Sequence, residues 1–388
     1  MKALFLESLP YESAFRVGSH HYAERFLSHD WDAMWLSHPL SLLHLLHPVK
    51  RDLEVRMRAW RAGGLEYEAL RYYNPMTLAP SAARPILRSS VFARASTVLT
   101  LPPVRSVLTR CGFSSPDLVW LTNPIYQPVA GRLETRCRVV RVADDTAAFE
   151  NIPASVRELE QEAIAQADVV FAVAAAVRDR LAATHARVVH LPNGVDAERF
   201  GAPFPEPDDL AGIASPRVLY VGAMEYWFDA EVVAECARAM PEASFVLVGP
   251  ESPNLNMLRV LRNVHVLGPR PYAHVPAYMQ HADAGIVPFV RSEMVDSIHP
   301  IKVYEYLASG LSVVATRWPE IEAMQAPIAL TERDGFTDAL RDTLAVGRTE
   351  GADERQAYAR ANSWDARFRT VLEAISPFLE GVLDAPRT

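Results

Sequence analysis

Short runs of apolar residues alternate with longer amphipathic stretches along most of the chain. Residues 2–7 (KALFLE), 33–37 (AMWLS), 117–122 (DLVWLT) and 137–143 (CRVVRVA) have the length and composition of buried strands. Between such runs the apolar positions recur at helical spacing, as in residues 153–167, where Pro153 stands near the first turn. This alternation predicts an α/β protein in which helices cover mostly parallel sheets.

The alternation stops once and then resumes. Residues 200–216 (FGAPFPEPDDLAGIASP) contain four prolines and no apolar period, which is typical of an interdomain linker. Strand-like runs follow at residues 217–222, 244–249, 264–268, 284–289 and 311–316. We therefore predict two Rossmann-like domains, 1–200 and 201–365, with an amphipathic helix at about 366–388 packing back on the first. Ligands of open α/β sheets bind beyond the carboxyl ends of the strands, so we expect substrates in a cleft between the two lobes.

The composition agrees with a globular protein of two domains. The chain has 388 residues, of which 49% are hydrophobic and 22% charged. A net charge of −8 argues against nucleic acid as the main partner. The three cysteines are far apart in sequence, without metal-binding spacing, which fits a reducing compartment. The apolar start is too short for a signal peptide and no run approaches the roughly 20 residues of a spanning helix, so we expect a cytoplasmic protein.

One segment is basic although the whole chain is acidic. Residues 50–110 carry eleven basic and four acidic side chains, a net charge of +7, interspersed with aromatic and aliphatic residues. Such a segment can rest on an anionic membrane surface, here the inner face of the plasma membrane. The alternative is a solvated helical face on which arginine stems cover apolar surface.

The stretch HPIKVYEYLASG (299–310) is the most informative about chemistry. Pro300 predicts the first helical position, and helix N-termini bind anions through their amides and dipole. Lys302 adds a positive charge in the first turn, and Glu305 can accept hydrogen bonds from ribose hydroxyls. Together these groups suit a nucleoside diphosphate. The alternative is an i, i+3 Lys–Glu surface pair that contributes only a few tenths of a kcal/mol.

Two further elements are weaker on their own. The strand RVLYVG ends in Gly222, where backbone amides can approach a phosphate, although a plain tight turn explains a single glycine equally well. Asp144 and Asp145 follow a predicted strand, so either carboxylate is a candidate proton acceptor or simply a helix cap. His20 and His21 follow a polar loop after the first strand, and spacing does not decide which of them faces a ligand.

Several segments, in this order, resemble glycosyltransferase family 4 and related GT-B enzymes. They are AQADVVFAVAAAVRDRL (165–181), VVHLPNGVDAERF (188–200), VLYVG (218–222) and PIKVYEYLASGLSVVAT (300–316). The resemblance implies the GT-B fold and a helix whose Lys302 and Glu305 contact the nucleotide diphosphate and ribose. Retaining members carry two glutamates separated by seven residues, and the first would fall on Ser297 here, which leaves the stereochemistry open.

A looser likeness is to inverting GT-B enzymes of the xanthan glucuronosyltransferase type. It places the catalytic base on Asp145, and the N-terminal domain aligns only around His20, the second catalytic candidate. Taken together, the helix pattern and the two resemblances predict a donor site formed by Gly222, Ala223, Met224, Phe289, Ile301, Lys302 and Glu305. No metal is expected there, because no DxD pair stands in a suitable loop.

The sequence thus predicts a glycosyltransferase of the hexosyltransferase type in polysaccharide biosynthesis. We expect a UDP- or GDP-sugar as donor, a lipid-linked or glycan acceptor, and no cofactor or metal. Two alternatives remain open: a nucleotide-sugar epimerase of the same fold, which needs no acceptor, and a non-catalytic sugar-binding protein.

Overall fold

The computed structural model describes residues 1–13, 16–41, 52–67, 69–79, 88–143, 152–251 and 255–379. The chain divides into two compact units. Unit 1 comprises residues 1–191 together with the residues from Phe368 onward, and unit 2 comprises Pro192–Arg367.

Unit 1 is built on a large, mostly parallel sheet. Its strands are β1 (Lys2–Leu6), β2 (Asp32–Leu36), β3 (Leu40–Ser41), β4 (Leu65–Tyr67), β5 (Leu70–Tyr73), β6 (Met76–Thr77), β7 (Thr100–Leu101), β8 (Leu118–Leu121), β9 (Cys137–Val142), β10 (Val169–Ala172) and β11 (Val188–His190). Eight of them form one sheet in the order β11-β10-β9-β8-β1-β2-β5-β4, in which only the β4–β5 pairing is antiparallel. The three short strands β3, β6 and β7 form a separate small sheet.

Helices connect the strands of unit 1. They are α1 (Gly18–Ser28), α2 (Leu53–Arg61), α3 (Ser90–Val98), α4 (Val104–Arg110), α5 (Gln127–Ala130), α6 (Ala154–Ala165) and α7 (Ala175–Ala182), with a 3-10 turn at Pro124–Tyr126.

The two faces of the large sheet have different cores because successive side chains of a strand point to opposite sides. Leu4 and Leu6 of β1 belong to an aliphatic cluster on one face. On the other face Phe5 stacks on Trp35 of β2, with ring centroids 5.7 Å apart, and lies 5.9 Å from Trp120 of β8. Each buried aromatic or aliphatic side chain contributes about 1.5–3 kcal/mol by leaving water, so this layer fixes the register of the central strands.

Unit 2 contains a second sheet in which every pairing is parallel. Its strands are β12 (Arg217–Val221), β13 (Ser244–Val248), β14 (Val264–Gly268), β15 (Ala284–Val287), β16 (Ser312–Thr316) and β17 (Ala329–Thr331), in the order β14-β13-β12-β15-β16-β17. The helices are α8 (Ala197–Gly201), α9 (Asp208–Ala211), α10 (Ala230–Ala239), α11 (Asn256–Arg259), α12 (Val275–Gln280), α13 (Glu293–Asp296), α14 (Ile301–Ala308), α15 (Pro319–Ala323), α16 (Phe336–Val346) and α17 (Ala352–Ala361), with 3-10 turns at Tyr272–His274 and Arg333–Gly335. A last helix, α18 (Trp364–Leu379), begins in unit 2 and continues into unit 1.

The strand order of unit 2 positions its ligand site. The connections from β12 run through β13 and β14 on one side and then return to β15 on the other, so the strand order reverses between β12 and β15. Ligands of doubly wound sheets bind at such a switch point, beyond the carboxyl ends of the strands.

The proline-rich stretch 200–216 differs from its interpretation as an interdomain linker. It lies within unit 2 and contains α9. Gln280 of α12 donates a 3.0 Å hydrogen bond to the carbonyl oxygen of Phe200, and the same side chain accepts one from the Phe204 amide at 2.9 Å. The prolines remove amide donors and helical periodicity, which is why a packed segment resembles a linker in sequence.

Candidate active site

The turn after β12 and the first turn of α14 converge at the switch point of unit 2. Gly222 follows β12 with φ of +141°, and its amide donates to the Val248 carbonyl oxygen at 2.9 Å. A Cβ atom added to Gly222 would lie 2.5 Å from Nζ of Lys302. Only a glycine lets this backbone and the ammonium group come so close.

Lys302 is held between aromatic side chains. Its Nζ donates a 3.0 Å hydrogen bond to the Tyr220 hydroxyl and lies 4.2 Å from the Tyr220 ring centroid and 4.9 Å from that of Phe289. The Tyr220 hydroxyl in turn donates to the Ala223 carbonyl oxygen at 2.8 Å. Burial lowers the pKa of Lys302 to about 7, and the nearby Glu305 carboxyl opposes that shift. A bound anion would restore the favourable environment of the charged ammonium.

Glu305 lies one turn further along α14 and is buried. Its Oε1 accepts a 2.9 Å hydrogen bond from the Tyr272 hydroxyl. Burial raises the pKa of Glu305 to about 7, and the Tyr272 hydrogen bond, Lys302 and Arg199 act in the opposite direction. The carboxyl group can therefore accept a hydroxyl hydrogen bond within a largely desolvated site.

The amino end of α14 is fixed by side chains from elsewhere in unit 2. Asn193 donates its Nδ2 to the His299 carbonyl oxygen at 2.9 Å. The His299 ring lies between Glu320, 2.7 Å from Nδ1, and the Tyr304 hydroxyl, 2.8 Å from Nε2. Pro300 is the N-cap residue rather than the first helical residue, and no side chain caps this helix. The first-turn amides are thus not taken by a capping side chain.

The other predicted donor-binding residues surround the same switch point. Ala223 and Ile301 are partly exposed, in the turn after Gly222 and at the start of α14. Met224 is fully buried, and its amide donates to the Pro250 carbonyl oxygen at 3.0 Å. Phe289 stacks on Trp318 at 5.6 Å. The Met224 side chain therefore supports the turn from inside.

A cavity of about 850 Å³ adjoins Phe289. Its lining includes Phe228, Asp229, Phe289, Thr316 and Arg333. Arg333 Nε lies 3.0 Å from the buried Asp229 carboxylate. The volume falls within the range of small-molecule sites. Phe289 both lines this cavity and lies beside Lys302, whose Nζ is 4.9 Å from its ring centroid.

The two catalytic candidates of the N-terminal half have different outcomes. Asp145, like Asp144, lies outside the described residues. His20 is fully buried in α1: its Nδ1 accepts from the Val17 amide at 3.1 Å, so Nε2 carries the proton and donates to the Pro10 carbonyl oxygen, also at 3.1 Å. Burial lowers the pKa of His20 to about 4, so the ring is neutral at physiological pH. In this conformation both ring nitrogens bond to backbone, which does not support a catalytic role.

Sequence reasoning missed a polar group at the carboxyl edge of the unit 1 sheet. Glu7, directly after β1, is buried and accepts a 2.8 Å hydrogen bond from the Thr122 hydroxyl, directly after β8. Asn123 donates to the Glu7 carbonyl oxygen at 3.4 Å. Burial raises the pKa of Glu7 to about 7, and Ser19, Thr122 and Arg141 oppose the shift. The available signal was a polar residue immediately after each of two buried strands that are neighbours in the sheet.

Two kinds of feature are absent from the part of the chain that the structure describes. No group of three or more histidine, cysteine, aspartate or glutamate side chains there is arranged to hold a metal ion. No helix in that part of the chain has the length and apolar character needed to cross a bilayer.

Two doubly wound α/β units, one with a cationic pocket at its switch point, define the fold class of GT-B enzymes. Structural comparison confirms that fold. Sucrose-phosphate synthase from Thermosynechococcus elongatus superposes with a TM-score of 0.70 at 14% identity, over 98% of this chain and 99% of that one. The E. coli trehalose-6-phosphate protein bound with UDP-2-fluoro glucose gives 0.66 at 12% identity, over the full length of both chains. A glycosyltransferase from Rickettsia africae ESF-5 gives 0.64 at 14% identity, over 98% of this chain and 99% of that one.

Sequence comparison adds a relationship to glycosyltransferases. Residues 215–345 match the family described as "Glycosyl transferases group 1". A Bacillus subtilis (strain 168) protein, provisionally named teichuronic acid biosynthesis glycosyltransferase TuaH, is 31% identical over 209 residues, which are 51% of this chain and 53% of that protein. The match thus spans about half the length of that relative. The predicted resemblance to GT-B glycosyltransferases is confirmed.

Proposed function

We propose that the protein is a glycosyltransferase that takes a sugar from a nucleotide-sugar donor bound by unit 2. The observation that carries the proposal is the convergence of Gly222 and the Lys302 ammonium at the switch point of a parallel sheet. The donor diphosphate lies against Lys302 and the first-turn amides of α14, and Glu305 accepts from the ribose hydroxyls. The family match over residues 215–345 covers this site and supports the assignment.

In the proposed transfer reaction, negative charge develops on the leaving diphosphate. A bond forms between an acceptor hydroxyl oxygen and the anomeric carbon, and the bond from that carbon to the diphosphate oxygen breaks. Lys302 and the helix amides stabilise the negative charge on the departing nucleoside diphosphate, without a metal ion. The acceptor proton passes to a base, for which we propose Asp145 on the ground of the resemblance described above.

We further propose a hexosyl donor carrying UDP or GDP and a lipid-linked or polysaccharide acceptor. The name of the Bacillus relative, which places it in teichuronic acid biosynthesis, supports a polysaccharide product. A cytoplasmic location, with attachment to the inner face of the plasma membrane, fits such an acceptor.

The test uses purified protein with a panel of UDP-, GDP- and dTDP-sugars, scored for donor cleavage and transfer. Lys302→Ala should reduce turnover at least about a hundredfold, as does loss of a single oxyanion-stabilising group in other enzymes. Lys2→Ala is the matched control, because Lys2 lies in unit 1, where its Nζ donates to the Gly112 carbonyl oxygen. Asp145→Asn should also abolish transfer.

The outcomes separate the rival functions. Full activity of Lys302→Ala would refute the site. Conversion of the donor to an epimer without acceptor would identify an epimerase, and tight sugar binding without turnover would identify a binding protein.

A further inference from the structure

Apolar side chains are concentrated on one part of the unit 1 surface. Of the ten large apolar side chains that are exposed in the described residues, five lie between residues 78 and 101. We call them the α3–β7 patch: Leu78, Val91, Val98, Leu99 and Leu101. Val91 is 73% exposed, more than any other residue of the group. Single exposed apolar residues need no explanation, but a cluster indicates a surface that is covered in use.

Backbone contacts join the members of the patch. Val91 and Val98 are seven residues apart on α3 and so share a helix face. Leu99 follows directly, and its carbonyl oxygen accepts a 2.9 Å hydrogen bond from the Leu78 amide. Leu101 pairs with Met76 in the small sheet that continues from this point. Val91, Val98 and Leu99 also line one open cavity of about 530 Å³.

Basic side chains predominate in the sequence around the patch. Residues 88–110 contain four arginines, Arg88, Arg94, Arg105 and Arg110, and no acidic residue, a net charge of +4 in a chain whose total is −8. Arg132 extends the group: it lines the cavity, and its carbonyl oxygen accepts from Arg105 at 3.4 Å. Two acids lie near the patch. Glu162 also lines the cavity and accepts a 2.9 Å hydrogen bond from Arg94, and Glu158 interacts electrostatically with the same arginine.

The combination of exposed apolar side chains and arginines favours a membrane over a protein as the partner. A protein interface would tend to balance the arginines with polar groups of its own, whereas exposed aliphatic side chains in a segment rich in arginine match a bilayer, whose phosphate headgroups lie above acyl chains. We propose that the α3–β7 patch docks on an anionic lipid surface, with its valine and leucine side chains entering the acyl boundary and its arginines contacting phosphates. The patch would bring unit 1 to a lipid-linked acceptor, so its purpose, though not its existence, rests on the proposed function.

The test is cosedimentation with vesicles of 30% phosphatidylglycerol in phosphatidylcholine. Wild type should bind these vesicles and not pure phosphatidylcholine, and binding should weaken with added salt because the arginine contacts are screened. Val91→Asp/Leu99→Asp should lower the partition coefficient at least about tenfold, since burying a charge in the acyl boundary is costly. Val260→Asp/Val346→Asp is the matched control: those residues are 77% and 64% exposed, lie in unit 2, and add the same charge.

Vesicle binding and transfer activity are measured separately, so that failure of the membrane proposal can be told apart from failure of the proposed function. Transfer to a soluble acceptor analogue should be the same in wild type and Val91→Asp/Leu99→Asp, with unchanged thermal midpoints. Arg88→Glu/Arg105→Glu should also lose vesicle binding, without changing the apolar surface. The proposal is overturned if the patch variant binds vesicles as wild type does, or if both aspartate pairs weaken binding equally. It is also overturned if the patch instead holds a dimer that dissociates in the variant while vesicles do not bind.

Discussion

At the scale of single residues, the Lys302 ammonium is buried, and keeping its positive charge there costs free energy unless an anionic ligand binds. It lies against two aromatic rings and one hydroxyl, and burial lowers its pKa to about 7. A diphosphate binds the protonated form, so binding takes up a proton when the amine is neutral. Glu305 lies on the same helix, and its raised pKa of about 7 places a second titration in this range.

We therefore expect the Kd of UDP to rise as pH rises from 7 to 9, by up to about tenfold for each pH unit. Isothermal titration calorimetry in buffers of different ionisation enthalpy would show the proton uptake. Lys302→Arg keeps its charge throughout and should lose most of the pH dependence. Glu305→Gln, measured in parallel, isolates the contribution of the carboxyl group. A pH-independent wild-type Kd would contradict the assignment of Lys302 to the diphosphate.

Glu7 offers a stability test in unit 1. Burial raises its pKa from an ordinary 4.5 to about 7, so between these values the folded protein binds more protons than the unfolded chain. Its contribution to the free energy of unfolding is therefore fully present below about pH 4.5 and is lost as pH rises towards 7. The difference in stability between wild type and Glu7→Gln, from urea unfolding at several pH values, should fall over that window. Glu242→Gln, the same substitution at an exposed position, is the matched control.

At the scale of elements, two glycines allow the strand ends of unit 2 to meet. Gly222 and Gly249 end β12 and β13 with φ of +141° and +150°. A Cβ on Gly249 would overlap the backbone carbonyl of Gly222, which no side-chain movement can relieve. Gly268 also has a positive φ, +73°, but a Cβ there meets no atom within 4 Å.

Gly249→Ala and Gly268→Ala therefore separate backbone conformation from steric overlap. The Gly268 variant should lose only about 1–2 kcal/mol from the positive φ, whereas Gly249→Ala should lose several kcal/mol more and also weaken UDP binding. Urea unfolding followed by tryptophan fluorescence measures the first effect and calorimetry the second. Equal losses in the two variants would show that the close approach of the two turns is not required.

Most helices and strands could be predicted, because the spacing of apolar residues in the sequence agrees with the side chains that are buried in the structure. The strand runs at 2–7 and 217–222 have continuous apolar centres, residues 3–6 and 218–221, as is typical of buried parallel strands, and the structure contains β1 and β12 there. The stretch 299–310 likewise forms α14, ended by Gly310 with φ of +72°. Local sequence determines such elements because each satisfies its own backbone hydrogen bonds or buries a continuous face.

The remainder depends on contacts that are distant in sequence. The packing of residues 200–216 on α12 uses Gln280, about 80 residues away, and no local pattern encodes it. The His20 ring, on α1, packs against Trp35 of β2 in a tilted arrangement, with ring centroids 4.6 Å apart. The approach of Tyr220 to Lys302 likewise joins residues 82 positions apart. For the proposed donor site, the sequence therefore predicted the residue types and the helix that carries Lys302. It did not predict that the Lys302 ammonium lies between the Tyr220 and Phe289 rings.

At the scale of the whole molecule, the chain leaves unit 1 after Leu191 and returns at Phe368. Phe368 on α18 packs edge-on against Phe26 of α1, with ring centroids 4.8 Å apart and an interplanar angle of 90°. Unit 1 is thus completed by residues that follow the whole of unit 2 in sequence. The proposed donor-binding residues, by contrast, all lie within Pro192–Arg367. Stability of the two units should therefore respond to different perturbations.

Phe368→Ala should destabilise unit 1 by about 3–5 kcal/mol, because it removes a buried ring from the aromatic layer. UDP should raise the unfolding midpoint of unit 2 by mass action, and that increment should persist in Phe368→Ala. Hydrogen exchange monitored by mass spectrometry can report β1 and β12 separately in one sample. Phe378→Ala, at a partly exposed ring over Arg187, is the milder matched change in the same helix. If Phe368→Ala increased exchange in β12 as strongly as in β1, or cancelled the UDP protection, the two units would have to unfold as one.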